Sequence, residues 1–185
     1  MRTFIAIDLD ESLKKNLQTL TGQLKPLTDS VRWVGAAGMH LTLKFLGEVG
    51  DDTVAQVSSR LEEVAARHRP FPLVLQGTGT FPPGQKRPRI LWVGVLPEPE
   101  LLALQDDLER QMEKLGFERE KRPFHPHLTL GRVKSPSRFD ALLEEMRKNR
   151  DLRIGEMRAE KVTFFLSVLT PSGAQYTVLK DCVLR

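Results

Sequence analysis

The tetrapeptide His-Leu-Thr-Leu occurs twice in this chain, at residues 40–43 and 127–130. The two copies are separated by nearly half of the 185 residues, and each follows a strand-like and a helix-like segment. In a β-strand, each copy would place His and Thr on one face and both leucines on the other. The repeat therefore predicts two similar lobes, related by an approximate internal duplication, that present matched polar faces to a common cleft.

Strict alternation also makes predictions about the neighbours of each copy. Lys44 would share the face of His40, and Phe45 would lie on the leucine face. In the second copy, His125 would join His127 on the polar face.

The periodicity of the remaining segments predicts an α+β fold of mainly antiparallel sheet, with helices on the outer faces. The predicted strands cover 3–9, 31–34, 39–46, 73–75, 90–95, 127–130, 160–169 and 174–184. The predicted helices cover 11–27, 98–115 and 138–149, with another that begins at residue 51 and ends before Pro70. A Gly/Pro-rich loop is expected over 77–84, and a hairpin turn over 170–173. We expect residues 1–185 to form a single bilobal domain.

Composition restricts the class of protein. Hydrophobic residues make up 40% and charged residues 28% of the chain, as in soluble proteins, and no apolar run approaches a membrane span. Charge soon interrupts the first residues, so no signal peptide is expected and a cytoplasmic location is predicted. A single cysteine, Cys182, excludes an internal disulfide framework.

The net charge of +4 and a pI near 9.4 favour a phosphate-bearing partner. Basic residues cluster at 85–89 and 119–122, in segments expected to be loops. Either cluster is explained as well by a solvated loop as by contacts to RNA.

Paired imidazoles suit acid/base chemistry at one phosphorus centre. A histidine with a pKa near 6.5 is available in either protonation state, so one ring can donate a proton while the other accepts one. Each role contributes on the order of a hundredfold to ten-thousandfold in rate. Threonine hydroxyls can donate hydrogen bonds to phosphate oxygens, and the scheme requires no metal or cofactor.

Two alternatives remain open from the residues alone. His40, His125 and His127 could form a three-histidine zinc site of a hydrolase, although a recurring Thr beside His is no usual feature of such a site. The chain could also be an RNA-binding module without catalytic activity.

The sequence resembles the two-histidine (2H) phosphoesterase superfamily, and within it the RNA 2',3'-cyclic phosphodiesterases of the LigT (ThpR) type. The resemblance covers the whole chain and is carried by residues 2–7, Trp33-Val34, 40–48 and 124–132. It implies a LigT-like fold with a central cleft and metal-independent hydrolysis of 2',3'-cyclic phosphate ends to 2'-phosphomonoesters. It also implies a reverse 2'-5' joining of RNA ends.

The resemblance assigns roles to individual residues. His40 would be the proton donor and His127 the proton acceptor, and Thr42, Thr129 and Arg132 would bind the substrate. Alternation points Arg132 away from His127 unless the strand ends or bulges at Gly131. The implied partner is RNA with 2',3'-cyclic phosphate ends, such as tRNA fragments or oligonucleotides. No membrane is involved, and we expect a monomer.

Aromatic residues near the motifs are candidates for base recognition, because single-stranded RNA commonly stacks on such rings. The candidates are Phe4, Trp33, Phe45 and Phe124. Most of them are expected in the core, and Phe45 is not expected to stack because alternation places it on the leucine face.

Overall fold

The computed structural model describes residues 2–135, 139–171 and 173–185. These residues form nine strands and four α-helices, which confirms the predicted α+β class. The strands are β1 (Arg2–Asp8), β2 (Val31–Trp33), β3 (His40–Glu48), β4 (Phe71–Phe81), β5 (Ile90–Val95), β6 (His127–Val133), β7 (Arg153–Ala159), β8 (Lys161–Thr170) and β9 (Gly173–Val183). The helices are α1 (Glu11–Leu24), α2 (Asp51–Ala65), α3 (Pro99–Glu113) and α4 (Asp140–Lys148).

The strands form two antiparallel sheets with matching orders. The first sheet has the order β3-β1-β8-β9 and the second β2-β6-β5-β4-β7. In the first sheet the motif strand β3 pairs with β1, and in the second the motif strand β6 pairs with β5. In each case one α-helix lies between the two strands in the sequence. The predicted likeness of the two lobes is therefore present, but each sheet takes strands from both halves of the chain, since β8 and β9 complete the first sheet and β2 joins the second.

The helices are placed by caps and by polar contacts to the sheets. Asp10 caps α1 by accepting a hydrogen bond from the backbone of Leu13 at 2.8 Å, and the same helix faces β7. Helix α4 lies against β4, where the Thr78 hydroxyl donates to the carbonyl of Met146 at 2.6 Å. Helices α2 and α3 contact each other and lie against the first sheet. No helix in the described part of the chain is long and apolar enough to span a membrane.

One hydrophobic core joins the helices to both sheets. It includes residues from the first sheet such as Ile5 and Phe164 and residues from the second such as Leu91 and Leu128, all at most 1% exposed. The opposite face of the first sheet carries a separate small cluster of Phe4, Ala6 and Phe165, against which Tyr176 packs. The first sheet is therefore apolar on both faces, and only one face belongs to the main core.

Two predictions about the second sheet are wrong. Strand β4 continues through the first part of the expected Gly/Pro-rich loop, because Gly77 takes a φ of +80° at a register irregularity and Trp92 packs directly over Gly79. Strand β7 was not predicted at all. It is an edge strand with only one buried residue of seven, so its sequence lacks the apolar alternation that reveals a buried strand.

The remaining segments follow the sequence closely. Helix α1 ends at Leu24 and is followed by a 3-10 turn, Lys25–Leu27, within the predicted helix. Arg138, at the expected start of α4, and Ser172, in the expected hairpin turn, lie outside the described residues.

Candidate active site

The two His-Leu-Thr-Leu strands meet where the two sheets adjoin. His40 is the first residue of β3 and His127 is the first residue of β6. These strands belong to different sheets, yet several of their Cα atoms approach within 8 Å of each other. The fold therefore brings together two segments that are far apart in the sequence.

Both strands contain a β-bulge at the same place in the motif. On β3, Thr42 is opposite Ala6 and Lys44 is opposite Ile5, so Leu43 has no partner on β1. On β6, Thr129 and Gly131 are opposite consecutive residues of β5, so Leu130 has no partner there. A bulge reverses the alternation beyond it, and both strands change phase after the final leucine of the motif.

This change of phase corrects the prediction for Lys44 and Phe45. Lys44 is buried, whereas Phe45 is 67% exposed and lies near Phe4, on the face of His40. The strict alternation expected from the sequence was therefore wrong for both residues. The same change confirms the bulge that Arg132 required, because Leu130 and Gly131 are both buried and Arg132 is exposed.

Lys44 fixes the loop that leads toward the second motif. Its ammonium group donates to Glu109 on α3 at 2.6 Å and to the backbone carbonyl of Glu118 at 2.6 Å. The Glu109 carboxylate also accepts a hydrogen bond from the backbone of Glu120 at 3.2 Å. Lys44 is a structural residue of the interior and does not reach the site face.

His40 is enclosed by aromatic rings. Its imidazole is stacked on Phe4 at 4.7 Å and on Phe165 at 5.7 Å, and Tyr176 meets it edge-on at 5.1 Å, all between ring centroids. This burial lowers the pKa of His40 to about 4. In the free protein the ring is therefore neutral at pH 7.

A neighbouring ion pair acts on the same ring in two directions. Asp8 is the cross-strand partner of His40, and its charge raises the pKa of His40. Lys14 on α1 lies 3.0 Å from the Asp8 carboxylate, and its charge lowers the pKa of His40. Burial affects the pKa of His40 more than either charge does, so Asp8 only reduces the size of the downward shift.

His127 has a different environment, with one ring nitrogen held by the backbone. Nδ1 lies 2.7 Å from the carbonyl oxygen of His125, which can only accept, so Nδ1 carries a proton. The Phe81 ring meets His127 edge-on at 5.1 Å, and Trp92 lies 6.3 Å away. In the neutral ring Nε2 is then the free acceptor.

His125 itself precedes β6, and its side chain is exposed. The sequence predicted that the His125 side chain would share the strand face of His127. In the structure it is the His125 carbonyl group that contacts His127, by accepting its hydrogen bond.

Thr42 and Thr129 are half-buried two residues beyond the histidines. Over residues 2–135, 139–171 and 173–185, neither hydroxyl has a hydrogen-bond partner in the protein. Both are therefore free to donate to a ligand.

Positive charges from both sheets act on Tyr176. It lies on β9 beside His40, and its burial raises the pKa of its hydroxyl, while the charges of Arg132 on β6 and Arg2 on β1 act to lower that pKa. The charge of Arg132, from the second motif, therefore acts on an aromatic residue that contacts His40 of the first.

A family model described as the 2'-5' RNA ligase superfamily matches residues 10–167. The chain belongs to this superfamily. Proteins named RNA 2',3'-cyclic phosphodiesterase are 34% identical in Methanothermobacter thermautotrophicus, over 96% of this chain and 95% of the relative, and 37% identical in Archaeoglobus fulgidus, over 97% and 98%. The predicted family resemblance is confirmed.

Solved structures show the same fold. A crystal structure of a Thermus thermophilus protein covers 100% of this chain and 98% of its own, with a TM-score of 0.86 and 29% identity. Escherichia coli LigT in complex with 3'-AMP covers 99% and 97%, with a TM-score of 0.80 and 28% identity. The LigT-like architecture implied by the resemblance is therefore correct.

The two basic clusters differ in how far neighbouring carboxylates neutralise their charges. In the second cluster, Arg119 contacts Asp106 at 2.6 Å and Arg122 contacts Glu120 at 3.0 Å, so both charges are partly neutralised. The first cluster begins four residues after Phe81, whose ring meets His127, and lies in a mostly exposed loop.

The three-histidine zinc site is not assembled. Among the described residues, no group of three or more His, Cys, Asp or Glu side chains is arranged to hold a metal ion, and this includes His40, His125 and His127. The structure thus provides no ligand set for the zinc-hydrolase alternative.

The sequence analysis did not identify four residues that contact or act on the motif histidines: Asp8, Phe81, Phe165 and Tyr176. Each contacts or acts on a motif histidine from another strand. No local pattern marks them, because their role depends on strand order.

Proposed function

We propose that this chain hydrolyses RNA 2',3'-cyclic phosphate ends to 2'-phosphomonoesters by metal-independent acid/base catalysis. The observation that supports the proposal is the close approach of β3 and β6, the two strands that carry the His-Leu-Thr-Leu motifs. Relatives named RNA 2',3'-cyclic phosphodiesterase, similar over almost the whole chain, support the choice of reaction.

His127 is the proton acceptor in this scheme. Donation from its Nδ1 to the carbonyl of His125 fixes the tautomer, so Nε2 can take a proton from water. The activated water attacks phosphorus, the bond from phosphorus to the 3' oxygen breaks, and the phosphate stays on the 2' oxygen.

His40 is the proton donor to the departing 3' oxygen. Its lowered pKa makes it neutral in the free protein, so it must take up a proton when substrate binds. The negative charge of the cyclic phosphate favours the protonated ring, and so does Asp8. Substrate binding and protonation of His40 are then coupled.

Thr42, Thr129 and Arg132 bind the phosphate. The two hydroxyls donate hydrogen bonds to its non-bridging oxygens, and Arg132 supplies positive charge from the end of the second motif. The geometric support is that all three lie on the same strand faces as the histidines, Arg132 because of the bulge.

The reverse reaction follows from the same groups. In 2'-5' joining of RNA ends, His40 would accept a proton and His127 would donate one, by microscopic reversibility. The substrates we propose are RNA fragments, including tRNA fragments and oligonucleotides. We treat residues 1–185 as one bilobal domain, supported by the shared core, and a monomer in the cytoplasm stays a prediction.

Product analysis tests this proposal. A short RNA that ends in a 2',3'-cyclic phosphate should yield only the 2'-phosphate, in the presence or absence of EDTA. His40→Ala and His127→Ala should abolish turnover, whereas His68→Ala, which lies after α2 and contacts Asp107 of α3 at 3.0 Å, should retain it.

Two results would contradict the proposal. Loss of turnover in EDTA that zinc restores would favour a metal-dependent hydrolase. Tight RNA binding without any turnover would favour the non-catalytic binding module.

A further inference from the structure

Tyr176 contacts His40 although their strands are the two outermost of the first sheet. The sheet has the order β3-β1-β8-β9, so β1 and β8 lie between them. Neighbouring strands are about 4.8 Å apart, and rings on the outer strands of a flat sheet of four would not touch. The ring centroids of Tyr176 and His40 are nevertheless only 5.1 Å apart. The sheet therefore curls around this face and brings β9 to the candidate site.

The hydroxyl end of Tyr176 lies against the turn that leads into β3. This 3-10 turn, Ala36–Gly38, ends two residues before His40. A Cβ added at Gly38 would lie 3.5 Å from the tyrosine oxygen. The hydroxyl is therefore placed beside the start of the first motif.

The hydroxyl of Tyr176 is able to donate to a ligand. Within the described ranges of the chain, it has no hydrogen-bond partner in the protein. Burial raises its pKa, so the hydroxyl keeps its proton at pH 7. In both respects Tyr176 is comparable with Thr42 and Thr129, the two hydroxyls that we assign to the phosphate.

The electrostatic environment of this hydroxyl favours an anion. Tyr176 is opposite Ser167 on β8, and Ser167 is opposite Arg2 on β1, so Arg2 and Tyr176 share one row across the first sheet. The charges of Arg132 and Arg2 both act to lower the pKa of Tyr176, against the larger effect of burial. A cation lowers the pKa of a hydroxyl because it favours negative charge at that position. Both sheets therefore stabilise an anion beside the Tyr176 hydroxyl.

We propose that the Tyr176 hydroxyl donates a hydrogen bond to a non-bridging oxygen of the phosphate on which His40 acts. This inference rests on the proposed function and adds a catalytic residue from β9 to the residues of the two motifs. Negative charge on the non-bridging oxygens increases as water adds to phosphorus, so the hydrogen bond is stronger in the transition state than in the bound substrate. Its loss should therefore lower kcat more than it raises KM.

Tyr176→Phe tests the hydroxyl because it keeps the ring against His40. For a nucleoside 2',3'-cyclic phosphate, kcat should fall about tenfold to a hundredfold, the range for a hydrogen bond to a charged group, with KM nearly unchanged. The pKa of His40, followed by NMR, should stay at its wild-type value, since phenylalanine buries the imidazole equally. Thr177→Val removes the hydroxyl of the next, exposed residue of β9 and is the matched control, with wild-type kcat expected.

Sulfur substitution separates a contact to the phosphate from support of the His40 ring. The two diastereomers of a nucleoside 2',3'-cyclic phosphorothioate carry sulfur, a weak acceptor, at one or the other non-bridging position. Tyr176→Phe should lower kcat for the diastereomer that keeps oxygen at the contacted position. For the other diastereomer, Tyr176→Phe and the wild type should have nearly the same kcat.

Two kinetic results would overturn the inference. The first is a wild-type kcat in Tyr176→Phe. The second is an equal loss on both diastereomers, which is the result expected if Tyr176 only positions His40.

A binding measurement keeps the test independent of turnover and of the folding of the variant. Tyr176 is the only tyrosine of the chain, so incorporation of 3-fluorotyrosine labels this position alone. The 19F signal should move on addition of adenosine 2'-monophosphate and not on addition of adenosine. A signal that responds to neither ligand, or equally to both, would overturn the inference. If the wild-type protein turns over no cyclic phosphate, the proposed function fails, and the 19F titration still decides whether Tyr176 binds a phosphate.

Discussion

Lys44 and Glu109 form an ion pair of 2.6 Å in the interior, where their side chains are 5% and 7% exposed. The pair joins β3 to α3, and it exists because the bulge at Leu43 directs Lys44 inward. Each partner also binds the backbone of the 118–120 segment. The charge of Lys44 thus helps to hold β3, the strand that begins with His40, against α3.

Lys44→Met should therefore destabilise the protein strongly. It leaves the Glu109 carboxylate buried without its cation, which costs about 3–5 kcal/mol of unfolding free energy in comparable sites. Urea unfolding at pH 7 measures the change. The double variant Lys44→Met/Glu109→Leu should recover much of the loss, and a single variant as stable as the wild type would contradict this account.

The sequence was sufficient for the paired motifs, the helices and most of the strands, because period-two alternation and helical spacing reflect burial directly. It missed the edge strand β7 and the second part of β4. It was insufficient beyond Leu43 and Leu130, where bulges reverse the alternation. Only the second bulge had a sequence signal, because a glycine within a strand, here Gly131, often marks a bulge. Lys44 and Phe45 look like ordinary strand residues, and their exchange of faces depends on pairing with β1. Asp8, Phe165 and Tyr176 reach His40 only because β1, β8 and β9 assemble beside β3.

His40 should make stability depend on pH. Its pKa is lowered from 6.5 to about 4 in the folded state, so the unfolded chain binds this proton more readily. The contribution to stability is complete above about pH 6.5 and is lost as pH falls toward 4, by about 3 kcal/mol. Urea unfolding between pH 7 and 4.5 should show the loss in the wild type and not in His40→Gln. Equal slopes in the two proteins would contradict burial of a neutral imidazole.

The Asp8–Lys14 pair should tune the same titration. Asp8→Asn removes the charge that favours imidazolium, so the pKa of His40 should fall further. Lys14→Met removes an opposing charge, so the pKa should rise. NMR titration of the His40 Hε1 resonance measures both shifts. Lys15→Met, which removes an exposed lysine on the same helix, is the control and should leave the pKa unchanged. Shifts of the same sign in the Asp8 and Lys14 variants would be inconsistent with this electrostatic account.

Gly131→Ala should separate the bulge from the motif. A Cβ at this position would lie 2.5 Å from a Val31 methyl group and 3.2 Å from the Arg32 carbonyl, so β2 would have to move. We expect a loss of about 1–3 kcal/mol in unfolding free energy, typical of overpacking, together with reduced kcat/KM, because the shift displaces Arg132, which pairs with β2.

Gly22→Ala is the matched control for this change. Gly22 lies in α1 with open space around it, so alanine there should stabilise the helix by about 0.5–1 kcal/mol and leave kcat/KM unchanged. Thermal unfolding and turnover of a dinucleotide cyclic phosphate should be measured on the same preparations. Wild-type kcat/KM in Gly131→Ala would mean that the close approach of β2 to β6 is not needed to hold Arg132 at the site.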